Sequence, residues 1–437
     1  MPRDSIFDQS RRDSILDLSD LIENKINPDD FFGENFLTNG MKHLLRESFR
    51  RFAGHSAAGV IKLTQAMGGG KTHNMICAGL LAKYPEYRPK VMGEDYQEAG
   101  LGKVRVVAFT GRESDAPLGI WGSIADQLGK KELFKDYYSP LSAPGQTAWI
   151  NLLKGESLLI LLDELPPYLV YSKSKTIGNS DLAQVTITAL ANLLVAVNKD
   201  ALSNVCVVIS DLKATYEEGT RLIGEVLKNL ENEIGRVALN LEPVALNTDE
   251  VYHILRKRLF KSLPDENIIL EVARSYAQAL REARQMDITN VSPDKFVQAI
   301  RESYPFHPAI RDLYARFREN PGYQQTRDLI RLMRLVTANL FGGQDAKASE
   351  LQLIHAYDID LNDRDILAEI TNINPSLENA VSHDIASGGQ AVAENIDTNL
   401  GGNEARDACA LLLMSSLVDR LPSISLSLLM SRPGAQR

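Results

Sequence analysis

The sequence predicts an α/β domain, a parallel sheet with helices on both faces, followed by an all-helical block. Three observations lead there. Between about residue 58 and Pro243, short apolar runs alternate with stretches of helical periodicity, the pattern of strands joined by crossover helices. After Pro243 the strand signals fade and the strong patterns are helical. Where the first apolar run gives way to the first helix, the chain carries the glycine-rich stretch LTQAMGGGKTHNM, residues 63–75.

Residues 1–45 read as an arm and lead-in. The first 30 or so are polar and charge-rich, and DDFFGENFLTNGMKHLLRESFRRF then brings aromatic anchors, a Thr38-Asn39-Gly40 turn and an amphipathic helix. Residues 46–245 form the α/β core, with strands at GVIKLTQ, KVRVVAFTG, SLLILLDE, NVCVVIS and RVALNLEP, and an amphipathic helix at THNMICAGLLAKY. Residues 246–343 form the helical block, with helices at TDEVYHILRKRLFKS, NIILEVARSYAQALREARQ, DKFVQAIRESY and TRDLIRLMRLVTANLF. The polar stretch FGGQDAKASE marks a boundary, and residues 344–437 read as a further, mainly helical segment.

Composition bounds the function classes. At roughly 100–200 residues per domain, 437 residues with 44% hydrophobic content make two to four domains. The net charge of -9 argues against a basic surface that coats nucleic acid, though it leaves room for a local patch. Cys77, Cys206 and Cys409 are few and far apart, as reduced thiols would be, and fit neither a disulfide framework nor a zinc site. The N-terminal MPRDSIFDQSRRDS has no apolar run, and nowhere do ~18 apolar residues follow one another. A soluble cytoplasmic protein is expected.

Residues 63–75 match the end of the phosphate-binding pattern G-x-x-x-x-G-K-[ST]. Gly70, Lys71 and Thr72 fill its last places, while Gln65 stands where the leading glycine belongs. At a strand-to-helix turn, exposed backbone N–H groups and the positive end of the helix dipole suit a polyphosphate, and Gly68, Gly69 and Gly70 let the backbone approach it. Lys71 would neutralise phosphate charge and the Thr72 hydroxyl would bind magnesium. A glycine-rich turn that binds nothing is the alternative. A second element weighs against it: LLILLDELPPYL, residues 158–169, delivers Asp163 and Glu164 at the C-terminal end of a buried strand, where ligands sit in open α/β sheets. Asp163 is placed to hold magnesium and Glu164 to act as general base on water.

A third strand, NVCVVIS, ends in Ser210-Asp211 and is expected between the two motif strands. Ser210 could then touch a terminal phosphate or the attacking water, or simply end a strand. Arg236 precedes the last strand, and Arg221 upstream competes with it for any role in a neighbouring subunit's site; each reads first as a plain surface arginine.

Together these residues resemble the AAA+ superfamily of ATPases. GIWGSIADQLG, GGGKTH, LLDELPPYL, SYPFHPAI and GYQQTRDLIRLM narrow the resemblance to large prokaryotic predicted ATPases long labelled a domain of unknown function, with the ATPase component of BREX-type phage exclusion as a more distant relative. The resemblance runs through most of residues 30–430. It implies a P-loop AAA+ core with a helical lid, ATP and Mg2+ as cofactors, a homo-oligomer, and work as a motor or remodelling component of an anti-phage complex. DNA methyltransferase or helicase-like proteins would be its partners, and no membrane. It implies a nucleotide-sensing role for Arg327, with Arg331 as fallback, a trans-acting role for Arg236, and a place for His73 beside the bound nucleotide, although a plain first-turn helix residue is the simpler reading of His73. The YPFHP segment, Tyr304 to Pro308, matches the family without a chemical role; His307 is expected in packing or at a helix start, and Trp121 in the core. Family members are usually much longer, so a truncated or short form is expected. A slowly hydrolysing nucleotide switch that recruits partners stays open, and a metabolite kinase is a poor third. DNA binding would rest on the basic runs RKRLFK (256–261) and RLMR (331–334), which read first as solvated faces.

Overall fold

The computed structural model describes residues 1–8, 17–65, 68–112, 116–211, 217–244, 249–285, 291–317, 323–342 and 351–416. The chain divides into two compact units. One comprises Ile15–Gly33 and Leu37–Ala245, the other Met1–Ser14, Glu34–Phe36 and Leu246–Arg437.

The first unit is built on a five-stranded parallel sheet of β1 (Val60–Leu63), β2 (Arg105–Thr110), β3 (Leu158–Asp163), β6 (Val205–Ser210) and β7 (Leu239–Leu241), in the order β2-β3-β6-β1-β7. All five are strands expected from the apolar runs, and the strand ending in Ser210 lies between the two motif strands. Two-residue strands β4 (Thr176–Ile177) and β5 (Ser180–Asp181) form a small hairpin turned by Gly178-Asn179. Both faces of the sheet are buried, as crossover helices require. Leu158, Ile160 and Leu162 of β3 pack into one apolar layer with Trp121 and Trp149, and Leu159 and Leu161 into the other with Phe49 and Ile76. Register aligns Thr110 with Asp163 and Leu63 with Ser210, so the C-terminal strand ends share one edge.

Two details differ from the sequence pattern. The helix Lys71–Lys83, read as amphipathic, is buried continuously from Asn74 to Ala82. The lead-in covers its outer side: Lys83 Nζ donates to the Leu21 carbonyl at 2.6 Å, and Phe31 stacks on His73 at 4.6 Å. The last strand begins at Leu239 rather than at Arg236, because the helix Glu217–Val237 continues through Arg236, keeping Leu230 and Ile234 in the core at helical spacing.

Two buried arginines brace this unit by donating to main-chain carbonyls. Arg88 donates to Leu81 and Ala82, in the last turn of the helix Lys71–Lys83, at 2.7 and 3.0 Å, and to Leu101 and Gly102 at 2.6 and 2.9 Å. A cation at a helix C-terminus is also favoured by the helix dipole. Arg51 likewise donates to Val205, Ser56, Val197 and Leu202.

The second unit is helical among its described residues, with Glu250–Leu259, Glu266–Gln285, Pro293–Ser303, Ala309–Phe317 and Gln325–Phe341. The later helices Arg364–Ile373 and Glu404–Ser416 contribute to the same apolar core, Ile366 and Met414 lying in one cluster with Leu255 and Met333. The YPFHP segment is part of its framework. His307 N–H donates to Ile354 and Ile354 N–H to Pro305, both at 2.8 Å, while His307 Nδ1 accepts from Ala309 N–H at the start of the next helix. The His307 ring is buried and stacks on His355 at 4.8 Å, a packing and helix-start role. Among the described residues no helix is long and apolar enough to cross a membrane.

Candidate active site

Chain direction brings the glycine loop to the C-terminal edge of the sheet. β1 ends at Leu63 beside Ser210, and the helix Lys71–Lys83 starts directly after Gly70. Gly70 has φ +84°, a left-handed backbone that glycine adopts without steric cost, and it offers no side chain to cap the helix that follows. Gly68 is also left-handed, at φ +77°. Lys71 is half-buried, and its Nζ donates to the Gln65 carbonyl across the loop at 2.5 Å. His73, in the first turn of the helix, lies against Phe31.

Thr72 meets the acidic strand end. Its Oγ1 donates to Asp163 Oδ2 at 2.5 Å. Asp163 is buried, and its other oxygen accepts from the Glu164 backbone N–H at 3.0 Å; Ser210 Oγ accepts from the same N–H at 3.1 Å. Ser210 thus braces the Asp163-Glu164 turn. Glu164 itself has φ +48°, uncommon for a residue with a side chain, and sits where β3 becomes the helix Leu165–Lys173. The end of the adjoining strand β2 leaves room for this turn at Gly111, where a Cβ would lie 1.9 Å from the Glu164 carbonyl oxygen. The Glu164 carboxylate is engaged by Arg112, whose Nε and Nη2 donate to its two oxygens, the latter at 3.3 Å.

Burial sets the electrostatics. It pushes the Asp163 carboxyl above its ordinary value, against the hydroxyls of Thr72 and Ser210, which hold it down; the Glu164 charge raises it further and Lys71 lowers it. Burial lowers the Lys71 ammonium, which the charges of Asp163, Asp211 and Glu164 counteract. A divalent cation beside Asp163 would favour its ionised form. Among the described residues no group of three or more His, Cys, Asp and Glu side chains could hold a metal ion alone, so a cation here needs oxygens from a ligand as well. The hydroxyl and carboxylate of Thr72 and Asp163 are hard oxygen donors of the kind magnesium takes.

Other sequence-derived candidates lie elsewhere. Arg236 is 71% exposed in the last turn of its helix and paired with Glu233 at 2.8 Å. Arg221 is in the same helix, with its side chain outside the described residues. Arg327 stands in the first turn of the helix Gln325–Phe341, in the helical unit, its Nη1 donating to Gln324 Oε1 at 2.9 Å. Arg331 pairs with the buried Glu369 at 2.8 Å, joining two helices of that unit. Three cations of the basic run 256–261 are engaged by partners distant in the sequence. Arg256 donates to the Glu302 carbonyl, Arg258 pairs with Glu34 and Lys261 with Asp4. Trp121 is core, as expected.

Sequence reasoning passed over Arg112 and the side chain of Gln65. Arg112 was within reach: it follows the strand that sits beside the Asp-Glu strand, at the edge where ligands gather. Gln65 is 8% exposed, and its carboxamide pairs with the backbone of Val244, Nε2 donating to the carbonyl at 3.0 Å and Oε1 accepting from the N–H at 3.1 Å. The departure from the leading glycine is therefore a built contact.

A family model for the DUF499 N-terminal domain matches residues 3–88 and 113–241, and a model for the DUF499 second domain matches residues 246–401. No curated protein matches the sequence.

Proposed function

The chain belongs to the DUF499 family, and we propose that it is a magnesium-dependent ATPase of AAA+ type, working as a motor or remodelling component of a prokaryotic anti-phage or DNA-modification-linked complex. One observation carries the ATPase reading: Gly70 turns the chain so that Lys71 and Thr72 open a helix at the sheet edge, with the Thr72 hydroxyl on the Asp163 carboxylate. The donor set fits a nucleoside triphosphate and its metal. The Gly68–Gly70 backbone, Lys71 and Thr72 would hold the polyphosphate, with His73 alongside, and Thr72 and Asp163 would hold magnesium. Bound magnesium would neutralise charge on the phosphate oxygens. Glu164 would accept a proton from water, its position set by Ser210 and by the Asp163 carboxylate. Ser210 is proposed as a sensing residue through this turn, Arg327 as the sensor on the helical unit and Arg236 as the trans arginine of a homo-oligomer.

A second reading, a slowly hydrolysing nucleotide switch that recruits partners, is favoured by the Arg112 pair, which occupies the carboxylate that turnover needs. Steady-state hydrolysis by the wild-type chain and by Glu164→Gln, over a protein concentration series with and without duplex DNA, separates the two. Turnover that rises faster than linearly with protein and vanishes in Glu164→Gln supports the assembling enzyme. Nucleotide binding without turnover supports the switch. No binding, with Lys71→Ala indistinguishable from wild type in calorimetry, rejects both.

A further inference from the structure

The residue that breaks the phosphate-loop pattern lies between the loop and the end of the sheet. β1 and β7 pair as far as Leu63 and Leu241. Beyond that point Thr64 N–H donates to the Leu241 carbonyl at 2.8 Å, and the Gln65 carboxamide then adds a rung of its own. A primary amide carries the same donor and acceptor as a peptide group, so Gln65 continues the ladder with its side chain while its backbone turns away into the loop. Both of these bonds are buried, where loss of one partner strands a polar group.

Each end of this link meets a different part of the chain. On one side, the Gln65 carbonyl accepts from Lys71 Nζ, the ammonium that would turn to a polyphosphate. On the other, Val244 follows β7, and in the sequence the next element is the helix Glu250–Leu259 of the helical unit. The strand exit is held from below as well: Thr38 Oγ1 donates to the Pro243 carbonyl at 2.5 Å, and a Cβ on Gly40 would lie 1.8 Å from the Glu242 carbonyl oxygen.

We propose that Gln65 is a positioning residue that couples occupancy of the phosphate loop to the exit of β7, the stretch by which the chain passes to its helical unit. A leading glycine could bend the loop but could not make this connection. The inference rests on the loop binding nucleotide. When Lys71 turns to the polyphosphate, the Gln65 carbonyl loses its cation, the Gln65 backbone relaxes, and the side-chain rung to Val244 responds.

The test is hydrogen exchange on the full chain, with and without magnesium-ATP, reading peptides over Leu239–Val244 and Glu250–Leu259. Wild type, Gln65→Met, Gln65→Glu and Lys71→Ala are compared, and tryptophan fluorescence confirms that each is folded. Gln65→Met keeps the bulk and loses both bonds; Gln65→Glu keeps an acceptor for the Val244 N–H. The wild-type Val244 amide is expected to change its exchange by about fivefold on nucleotide addition, the scale of one hydrogen bond. Gln65→Met should bind nucleotide within about tenfold of wild type and lose that response, with Gln65→Glu between the two. A nucleotide response at Val244 that persists in Gln65→Met, or a wild type that binds nucleotide with no response there, overturns the coupling and leaves the nucleotide reading standing. A wild type that binds no more nucleotide than Lys71→Ala overturns both.

Discussion

Arg112→Ala tests whether the Glu164 carboxylate is held in reserve. The pair is bidentate, yet Arg112 is 61% exposed and Glu164 26%, so solvent screens it. Pairs of this kind are worth about 0.5–1 kcal/mol. That corresponds to a factor of about 2–5 in the equilibrium between engaged and free carboxylate, leaving roughly a sixth to a third of it free. Where proton transfer limits turnover, removing Arg112 should raise kcat by about 3–6-fold with KM unchanged. Added salt should reproduce part of the gain in the wild type and none in the variant, since screening acts on the pair. The assay is steady-state phosphate release across a potassium chloride series. A fall in kcat of more than about tenfold would mean that Arg112 contacts the phosphates rather than restraining the base. An unchanged kcat with an unchanged salt profile would mean that the pair has no bearing on catalysis.

Arg236→Ala should keep nucleotide affinity and lose hydrolysis, and mixing with Glu164→Gln should restore activity if the site is completed by a second copy; no recovery on mixing removes Arg236 from the site. Arg88→Met deprives four carbonyls, two of them in buried bonds, of a charged donor and should cost about 2–4 kcal/mol. Trp121 and Trp149, the two tryptophans of the chain, both lie in the sheet unit, so urea unfolding followed by their fluorescence reads this cost directly, and a midpoint within about 0.5 M of wild type would refute it. Burial, and then the charge of His355, holds the His307 imidazole well below its ordinary 6.5. The folded state keeps it neutral while the unfolded chain takes up a proton, so its contribution is fully present above pH 6.5 and is lost as pH falls below it, at about 1.4 kcal/mol per unit until the folded group itself titrates. His307→Phe should flatten that dependence in urea unfolding followed by far-ultraviolet circular dichroism between pH 7 and 5.5; an unchanged slope assigns the acid sensitivity elsewhere.

Much of the sheet unit was legible because its chemistry is local. Five consecutive apolar residues at 158–162 announce a strand buried on both faces, and both layers receive its alternate side chains. Gly70-Lys71-Thr72 and Asp163-Glu164 each declare themselves by residue type and by their place at a strand end. Nearest-neighbour patterns were weaker guides where a residue's partner lies far along the chain. The helix Lys71–Lys83 gives no sign that residues near Leu21 and Phe31 cover its outer side, and RKRLFK does not reveal that Glu34 and Asp4 answer two of its cations. Arg331 lies in a run that reads first as a solvated face, yet it meets Glu369, 38 positions later (369 − 331).

The sequence by itself determined the element types, the buried runs of the strands and the short runs GGGKT and DE, because periodicity and backbone preference act over a few residues. Tertiary structure alone decided that Thr72 reaches Asp163, that Ser210 holds the Glu164 amide, that Arg112 holds the Glu164 carboxylate and that Gln65 clasps Val244. Those four contacts span 46 to 179 positions, and strand order and register bring their ends together. A crossover sheet places distant strand ends side by side, and no local pattern encodes which ends will meet.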